Sequence, residues 1–368
     1  MILIVDYDLK EVKIWACTGE PGKASPRFFS KDAGDFGDDT SAKACIRAIA
    51  GKNRIDAVSF RILFGGDYFK GPVFVDDGFF AGFGKLMNFF PFYVPSILEM
   101  LKRFHRVFKG IPLIAFFETS FFLKLPESGR YYALPFEYHE SNKIKKWGFH
   151  GIFHELNAGI FSPEDKTVSV VIDKQTTVCA VHQGRPLSIS LGYTPLEGVM
   201  SRTSCGDVDP GIIFYLMNVH NFSIFKIDEM LKRDSGFAGL TGYDIELSDM
   251  LKLRGKDVKV DLAFDVYQAQ IMKHIGESIT VLNGLDSIVF AGSAVDIFIP
   301  IIHEIIKKMS FLGITTVSLP WAGDSEITRI SSGESKIKVC LNRMELAKSI
   351  YYETLTVLRS RENRAVFS

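Results

Sequence analysis

The feature that most constrains the fold is a pattern that occurs twice: two short strands joined by a polar turn, followed later by a buried strand that ends at glycine. The first copy consists of Ile2–Val5, Val12–Cys17 and Ala57–Phe64, with Gly65 and Gly66 after the last run. The second copy consists of Thr167–Ile172, Thr176–Val181 and Asp286–Ala291, with Gly292 after the last run. This repetition predicts a duplicated domain.

Segments with apolar residues at helical spacing lie between and after these strands. In Val94–Phe108 the apolar residues lie opposite Lys102, Arg103 and Arg106. Two more strands are predicted at Ile111–Phe117 and Lys336–Leu341, and three more helices at Asp261–Leu282, Ile299–Met309 and Met344–Leu358. Strands separated by helices predict an α/β fold in which helices cover a mixed sheet.

Length and charge limit the classes of protein to which the chain can belong. Its 368 residues exceed one ordinary domain of ~150 residues, so two domains are expected. Lys plus Arg and Asp plus Glu number 43 each, which argues against a nucleic-acid-binding protein. No apolar run approaches the ~20 residues of a membrane span. The start, MILIVDYD, lacks the basic segment of a secretory signal, and the cysteines form no CxxC pair, so the predicted location is cytoplasmic.

Three stretches carry motifs in a specific order and spacing. The first holds Phe117-Glu118-Thr119-Ser120-Phe121, Tyr132-Ala133-Leu134-Pro135 and Trp147-Gly148-Phe149-His150-Gly151. The second runs from Thr194-Pro195-Leu196-Glu197-Gly198 to Gly206-Asp207-Val208-Asp209-Pro210-Gly211. The third holds Ser235-Gly236-Phe237-Ala238-Gly239-Leu240, Ala263-Phe264-Asp265-Val266 and Gly284-Leu285-Asp286. With these motifs the chain resembles the acetate kinase family, which shares its fold group with sugar kinases and actin.

The resemblance implies two related α/β domains of the ribonuclease-H-like, or actin-like ATPase, type around a central cleft. Residues 1–120 together with 345–368 would form the first domain, and residues 121–344 the second. It also implies a homodimer, ATP and Mg²⁺ as cofactors, and reversible phosphoryl transfer between ATP and a small carboxylate, with an acyl phosphate as product. No nucleic acid and no membrane is expected as a partner.

On the acyl side, three residues match the family's chemistry. Arg61 corresponds to an arginine that binds the carboxylate or acyl phosphate, and a planar guanidinium suits two-point contact with such oxygens. The alternative is a salt-bridged arginine at a strand end. His150 corresponds to a histidine that stabilises the transferring phosphoryl group, the alternative being a core histidine. Glu118 replaces an aspartate and extends the carboxylate by one methylene. The predicted acyl pocket, equally typical of plain core, is lined by Leu63, Phe92, Phe149 and Pro210.

The turns that hold phosphate in the family differ in this chain. The first hairpin turn has an asparagine and serines in the family, but here it reads Asp6-Tyr7-Asp8-Leu9-Lys10-Glu11, with Lys13 preserved. The second turn is Gly-Asn-Gly in the family and Asp173-Lys174-Gln175 here, so the close backbone approach that glycine permits is lost. The remaining candidates for cofactor binding are Asp6, Lys13, Lys174, Gly292 and Asp296.

Two candidates stand near displaced family positions. Ser204 occupies the position of a catalytic arginine, and Arg202 stands two residues earlier; in an extended segment both would share one face, so Arg202 is the candidate replacement. The family's Asn-Glu-Glu reads Arg343-Met344-Glu345, which leaves Glu345 as the candidate Mg²⁺ ligand or, alternatively, a surface residue in a first helical turn.

The predicted function is therefore an acetate kinase-like phosphotransferase with impaired or altered activity. The alternative is a non-catalytic homologue that acts as a binding or regulatory dimer.

Overall fold

The computed structural model describes residues 1–8, 10–20, 23–89, 93–318, 321 and 325–366, with side chains described as far as residue 361. Phe92, a predicted pocket residue, lies outside the described residues. The strands are β1 (Ile2–Tyr7), β2 (Glu11–Thr18), β3 (Ser25–Asp32), β4 (Ala57–Ile62), β5 (Val73–Phe74), β6 (Leu113–Phe117), β7 (Thr167–Ile172), β8 (Thr176–His182), β9 (Arg185–Ile189), β10 (Ser287–Ala291), β11 (Ile327–Arg329) and β12 (Lys338–Asn342).

The helices follow the same chain order. They are α1 (Asp39–Ala50), α2 (Asp77–Gly84), α3 (Val94–Val107), α4 (Phe136–Glu140), α5 (Gly151–Ala158), α6 (Pro210–Val219), α7 (Ile224–Arg233), α8 (Gly236–Thr241), α9 (Leu247–Leu251), α10 (Val258–Leu282), α11 (Ile299–Lys308) and α12 (Leu346–Val366). Within the described part of the chain, none of them is both long and apolar enough to cross a bilayer.

The chain divides into two compact units, the first of which contains Met1–Leu123 and the chain from Glu345 onward. Its mixed sheet has the order β3-β2-β1-β4-β6-β5. The β1–β2 hairpin is antiparallel, whereas β4 is parallel to both β1 and β6. The last helix, α12, packs on this sheet, where the Ser59 and Thr354 hydroxyls are 2.7 Å apart and buried. This packing agrees with the expectation that the C-terminal segment, from residue 345, joins the N-terminal part of the chain.

The second unit, Lys124–Met344, repeats the topology of the first. Its sheet has the order β9-β8-β7-β10-β12-β11, in which β7, β8 and β9 are consecutive antiparallel strands. The β7–β8 hairpin is antiparallel, and β10 is parallel to both β7 and β12. The two sheets therefore have equivalent strands in equivalent directions, which confirms the predicted duplicated α/β fold. The predicted domain limits, residues 1–120 with 345–368 and residues 121–344, stay a prediction.

Apolar surfaces of the helices explain why these elements pack as they do. Helix α10 begins after Asp257, whose carboxylate accepts from the Lys259 N–H at 2.8 Å and caps the helix. Along one of its faces, Tyr267, Ile271 and Ile275 are buried against the second sheet. Burial of such a continuous apolar stripe fixes the helix on the sheet.

Element boundaries differ from the predictions where polar residues take part in pairing. In the first hairpin, β1 continues through Asp6 and Tyr7 because these residues pair with Lys13 and Val12. The edge strand β3 was not predicted, since most of its side chains are exposed and it lacks an apolar alternation. Helix α12 begins at Leu346, two residues later than predicted, and ends at Val366.

Candidate active site

In the first unit, Arg61 lies between two carboxylates. Parallel β1, β4 and β6 end at the same edge of the sheet, which brings Asp6, Arg61 and Glu118 together. Arg61 donates from Nη1 to Asp6 Oδ2 at 2.9 Å and from Nε to Glu118 Oε1. The Arg61 side chain is 14% exposed and that of Glu118 is fully buried. This guanidinium is thus positioned to bind carboxylate oxygens, and it already binds two from its own chain.

The backbone next to this cluster is held by a half-buried tyrosine. Tyr93 accepts from the Leu63 N–H at 3.0 Å through its hydroxyl oxygen. Burial raises the pKa of Tyr93, so the hydroxyl stays protonated at neutral pH. Leu63, a predicted pocket residue, is half-buried at this point.

In the first hairpin turn, carboxylates accept hydrogen bonds from nearby N–H and hydroxyl donors, which are then not available to a phosphate. Asp8 Oδ1 accepts from the Glu11 N–H at 3.0 Å, and Glu11 in turn accepts from the Ser30 hydroxyl. Lys13 lies 3.5 Å from Glu11. The turn therefore presents acidic side chains, and its Glu11 N–H already donates to Asp8. The negative charge of these side chains would repel an incoming phosphate.

In the second unit, His150 directly precedes α5 in a left-handed backbone conformation, with φ 61°. A non-glycine residue in this region carries strain, which is commonly found at functional sites. Its ring is 8% exposed, beside buried Phe149, and Nδ1 lies 3.0 Å from the Thr177 hydroxyl. The ring is therefore held in one orientation. Its burial also fits the alternative of a core histidine.

In the second hairpin turn, an aspartate likewise accepts hydrogen bonds from nearby donors. Asp173 Oδ1 accepts from the Lys174 N–H at 2.9 Å and from the Ser293 hydroxyl at 2.6 Å. Gly292 has φ +109°, and a Cβ there would lie 2.3 Å from the Ile172 carbonyl oxygen, so only glycine lets the two turns approach. One aspartate thus takes up two donors of the predicted nucleotide-binding turns.

Asp296, predicted to bind the nucleotide, lies 2.6 Å from Arg343 Nε in an ion pair. Arg343 also donates to the Thr328 hydroxyl at 2.8 Å. Asp296 therefore serves to hold the segment before α12, and its role toward a nucleotide stays a prediction.

The segment that carries Arg202 is bent rather than extended, so the condition under which Arg202 and Ser204 would share a face is not met. The Ser201 N–H donates to the Ser204 carbonyl at 3.0 Å, and the two hydroxyls are 2.7 Å apart, which makes a turn. Arg202 therefore does not share a face with Ser204; it pairs with Asp244, whereas the Ser204 hydroxyl lies 3.0 Å from Gln175. The catalytic role of Arg202 stays a prediction.

The remaining predicted residues are exposed. Pro210 is the first residue of α6, where Asp209 caps the helix by accepting from Gly211 at 2.8 Å. Glu345 is exposed just before α12. No group of three or more His, Cys, Asp or Glu suited to a metal ion occurs among the described residues. Mg²⁺ needs few protein ligands when phosphates supply the others, so a single carboxylate at Glu345 fits only a metal that arrives with nucleotide.

Sequence reasoning missed a charged cluster that closes the loop 198–207. Asp207 accepts from the Gly198 N–H at 2.7 Å and lies 3.4 Å from Nε2 of His274 on α10. His274 is buried, and its Nδ1 lies 3.2 Å from Glu277. Burial alone would lower the pKa of His274, but the two carboxylates outweigh it and raise that pKa. The His274 contact is the main cause that lowers the pKa of Glu277.

Asp207 responds to the same contacts. Burial opposes its ionisation, but the contact with His274 and the hydrogen bond from the Gly198 N–H hold the pKa of Asp207 well below the usual range. No sequence motif pairs these residues, because 67 positions separate Asp207 from His274 and only the placement of α10 joins them.

Comparisons with known proteins agree with this architecture. A model described as the Acetokinase family matches residues 40–350. The acetate kinase of Dictyoglomus turgidum is 32% identical over 315 residues, 83% of this chain and 78% of the relative. That of Thermosipho melanesiensis is 33% identical over 305 residues, 79% of this chain and 74% of the relative.

Solved structures show the same fold at lower identity. Porphyromonas gingivalis acetate kinase matches with a TM-score of 0.87 at 22% identity, over 97% of this chain and 99% of that one. A propionate kinase from Francisella tularensis matches with a TM-score of 0.83 at 22% identity, over 95% and 97%. The two mixed sheets are thus those of the two-domain, actin-like ATPase fold.

The His274 cluster predicts a pH-dependent stability. The pKa of His274 is raised in the folded state, so its protonation stabilises the fold. This contribution to stability is complete below the unfolded-state pKa of ~6.5 and is lost as pH rises through the folded-state pKa. Melting temperatures measured from pH 6 to pH 9 should fall more in the wild type than in His274→Gln. The exposed His220→Gln is the control and should follow the wild type. Parallel curves for wild type and His274→Gln would contradict the assignment.

Proposed function

The chain belongs to the acetokinase family, and from this premise we propose that it is a carboxylate kinase whose hold on the phosphates of ATP is weakened. Family members act on small carboxylates.

The observation that carries the proposal is the contact of Arg61 with two carboxylates. A guanidinium binds a carboxylate through charge-assisted hydrogen bonds, and Arg61 makes such bonds with Asp6 and Glu118. A substrate carboxylate or acyl phosphate has the same oxygens. In the proposed reaction Arg61 holds this group, and Leu63 and Phe149 supply apolar contacts for its short carbon chain.

The other proposed roles concern charge on the transferring phosphoryl group. His150 donates a hydrogen bond to that group, Arg202 neutralises part of its charge, and Glu118 keeps Arg61 in place. ATP and Mg²⁺ are the proposed cofactors, with Glu345 as the metal ligand, and the cytoplasm is the proposed location. Phosphoryl transfer depends on positioning and charge stabilisation, so small changes in these groups affect the rate strongly.

The impairment is proposed from the two hairpin turns. Asp8 and Asp173 accept hydrogen bonds from the N–H groups of Glu11 and Lys174 in their own turns. These turns therefore fit a triphosphate poorly unless the aspartates move away. The cost is that of breaking these bonds and of placing anionic phosphate beside anionic side chains.

A second candidate function is a non-catalytic homologue that binds or regulates. It is favoured by the same occupied turns, because a protein released from catalysis needs no phosphate donors there. Under this alternative the fold and the dimer surface remain while turnover is absent.

The proposed activity can be measured by trapping acyl phosphate as the hydroxamate, with acetate or propionate, Mg²⁺ and ATP. The wild type should form product slowly. Arg61→Ala should reduce kcat/KM by roughly 10- to 100-fold, the effect of losing a charged hydrogen bond worth about 1.5–3 kcal/mol. Arg54→Ala is the matched control, since Arg54 is 91% exposed. Absence of product, together with no rise in melting temperature with nucleotide, would favour the non-catalytic alternative.

Asp6→Asn should improve the carboxylate site. The substitution keeps the shape of the side chain but removes one of the two negative charges on Arg61, so KM for the carboxylate should fall by roughly tenfold. Asp56→Asn, an exposed carboxylate paired with the N-terminus, is the control and should leave KM unchanged. An unchanged or higher KM in Asp6→Asn would show that Asp6 does not restrain Arg61.

We also propose that the homodimer forms through the apolar face of α6 and α7. Helix α6 has an apolar sequence but no buried residue. The exposed apolar residues of α6 and α7 include Ile212, Phe214, Tyr215, Ile224 and Phe225, of which Phe214 is 63% and Phe225 83% exposed. Clustered exposed aromatic residues are typical of protein interfaces.

The dimer proposal predicts a change in mass. Light scattering at tens of micromolar should give a dimer for the wild type and a monomer for Phe214→Asp combined with Phe225→Asp, because two charges would be buried in the interface. Phe311→Asp replaces an equally exposed phenylalanine elsewhere, at 80% exposure, and should remain dimeric. A monomeric wild type, or a dimeric double variant, would refute this interface.

A further inference from the structure

A continuous chain of buried hydrogen bonds leads from the segment before α12 to the ring of His150. Its first part starts at a backbone amide: the Met344 N–H donates to Asn342 Oδ1 at 2.9 Å. Asn342 Nδ2 donates to Asn157 Oδ1 at 2.8 Å, and Asn157 Nδ2 donates to the Ser169 hydroxyl oxygen at 2.8 Å. Asn157, Ser169 and Asn342 are at most 1% exposed, so water does not compete for these groups.

The second part of the chain contains two histidines. The Ser169 hydroxyl lies 2.7 Å from Nδ1 of His154. Nε2 of His154 lies 2.9 Å from the Thr177 hydroxyl, which in turn lies 3.0 Å from Nδ1 of His150. His154 and Thr177 are fully buried. Ser169 and Thr177 have the same place in the chain of hydrogen bonds, because each hydroxyl connects two side chains that bond through nitrogen.

The first donor sets the direction of every later bond. A backbone N–H donates only, so Asn342 Oδ1 accepts, and its Nδ2 must be the donor toward Asn157. Asn157 then donates to Ser169, whose hydroxyl hydrogen requires a different acceptor. Among the described side chains the acceptor within reach is Nδ1 of His154. His154 consequently carries its proton on Nε2.

The same logic continues to His150. Burial, and next the nearby His150, lower the pKa of His154 well below its usual value, so its ring is neutral and has one N–H. That N–H donates to Thr177, whose hydroxyl hydrogen is then directed at Nδ1 of His150. Nδ1 of His150 is an acceptor in this arrangement, and the proton of the ring resides on Nε2.

We propose that Thr177, His154, Ser169, Asn157 and Asn342 form a positioning relay that holds His150 with its proton on Nε2, as a hydrogen-bond donor toward the transferring phosphoryl group. The role toward the phosphoryl group rests on the proposed carboxylate kinase function; the tautomer itself does not. The opposite direction would leave the buried Ser169 hydroxyl hydrogen without an acceptor, which is a costly state for a buried group. The relay thus specifies one tautomer.

Thr177 is the position at which the relay can be cut without altering either histidine. Thr177→Val keeps the shape of the side chain but removes the hydroxyl, whereas Thr177→Ser retains it. Thr176→Val is the matched control: Thr176 neighbours it on β8, but its hydroxyl bonds with Tyr267, 2.6 Å away, and takes no part in the relay.

The tautomer can be observed directly by nitrogen–proton correlation NMR of the protein labelled with ¹⁵N-histidine, with His150→Gln used to assign the resonances. We expect the Nε2–H tautomer of His150 in the wild type, in Thr177→Ser and in Thr176→Val. In Thr177→Val, Nδ1 loses its donor, and a mixture with the Nδ1–H tautomer should appear. A wild-type His150 with its proton on Nδ1, or a Thr177→Val spectrum identical to that of the wild type, would overturn the relay.

Activity supplies the second readout. Thr177→Val should lower kcat by roughly 10- to 100-fold with little change in the carboxylate KM, as is typical when the group that orients a functional histidine is removed. Thr177→Ser should restore kcat. An unchanged kcat in Thr177→Val would overturn the catalytic role of the relay. A wild type without kinase activity would refute the proposed function, and with it that role, while the NMR result would still decide the tautomer.

Discussion

The parallel pairing of β4 with β1 and β6 is the constraint on which the cluster of Asp6, Arg61 and Glu118 depends. Parallel strands end at one edge of a sheet, so Asp6, Arg61 and Glu118 meet there although they are far apart in sequence. One guanidinium then faces two carboxylates, with a fully buried glutamate among them. A buried charge has to be paired, and Arg61 pairs the charge of buried Glu118. Any incoming carboxylate competes with groups that are already bound.

The second unit has the same strand topology but different side chains at the equivalent positions. Its equivalent hairpin places Asp173 beside Ser293, at the turn that glycine at position 292 allows to come close. The aspartate satisfies the local donors and so stabilises the turn in the form observed. By contrast, His150 is supported by a chain of neutral groups. In the structure, Arg61 already contacts two carboxylates and the His150 ring is held by Thr177, while the two hairpin turns are stabilised in a form whose carboxylates oppose anions.

Sequence patterns predicted much of the fold because buried strands leave continuous apolar runs, as in Thr167–Ile172, which is the observed β7. Motifs also singled out Arg61 and His150, whose functional roles stay predictions. The exposed edge strand β3 leaves no such pattern. The direction of Arg202 depends on a turn made by Ser201 and Ser204, which spacing alone does not reveal. The relay joins Asn157 to Asn342 across 185 positions, and sequence spacing alone does not indicate such a contact.

The central proposal is that the occupied hairpin turns weaken the binding of ATP by this chain. Its most direct test is a calorimetric titration of Mg²⁺–ATP into the wild type and into a variant that combines Asp173→Gly, Lys174→Asn and Gln175→Gly. Removal of the aspartate frees the Ser293 hydroxyl and the backbone donors of the turn. The account predicts weak binding to the wild type and a Kd at least roughly tenfold lower in the variant, equivalent to about 1.4 kcal/mol. Equal dissociation constants, or tight binding by the wild type, would contradict it.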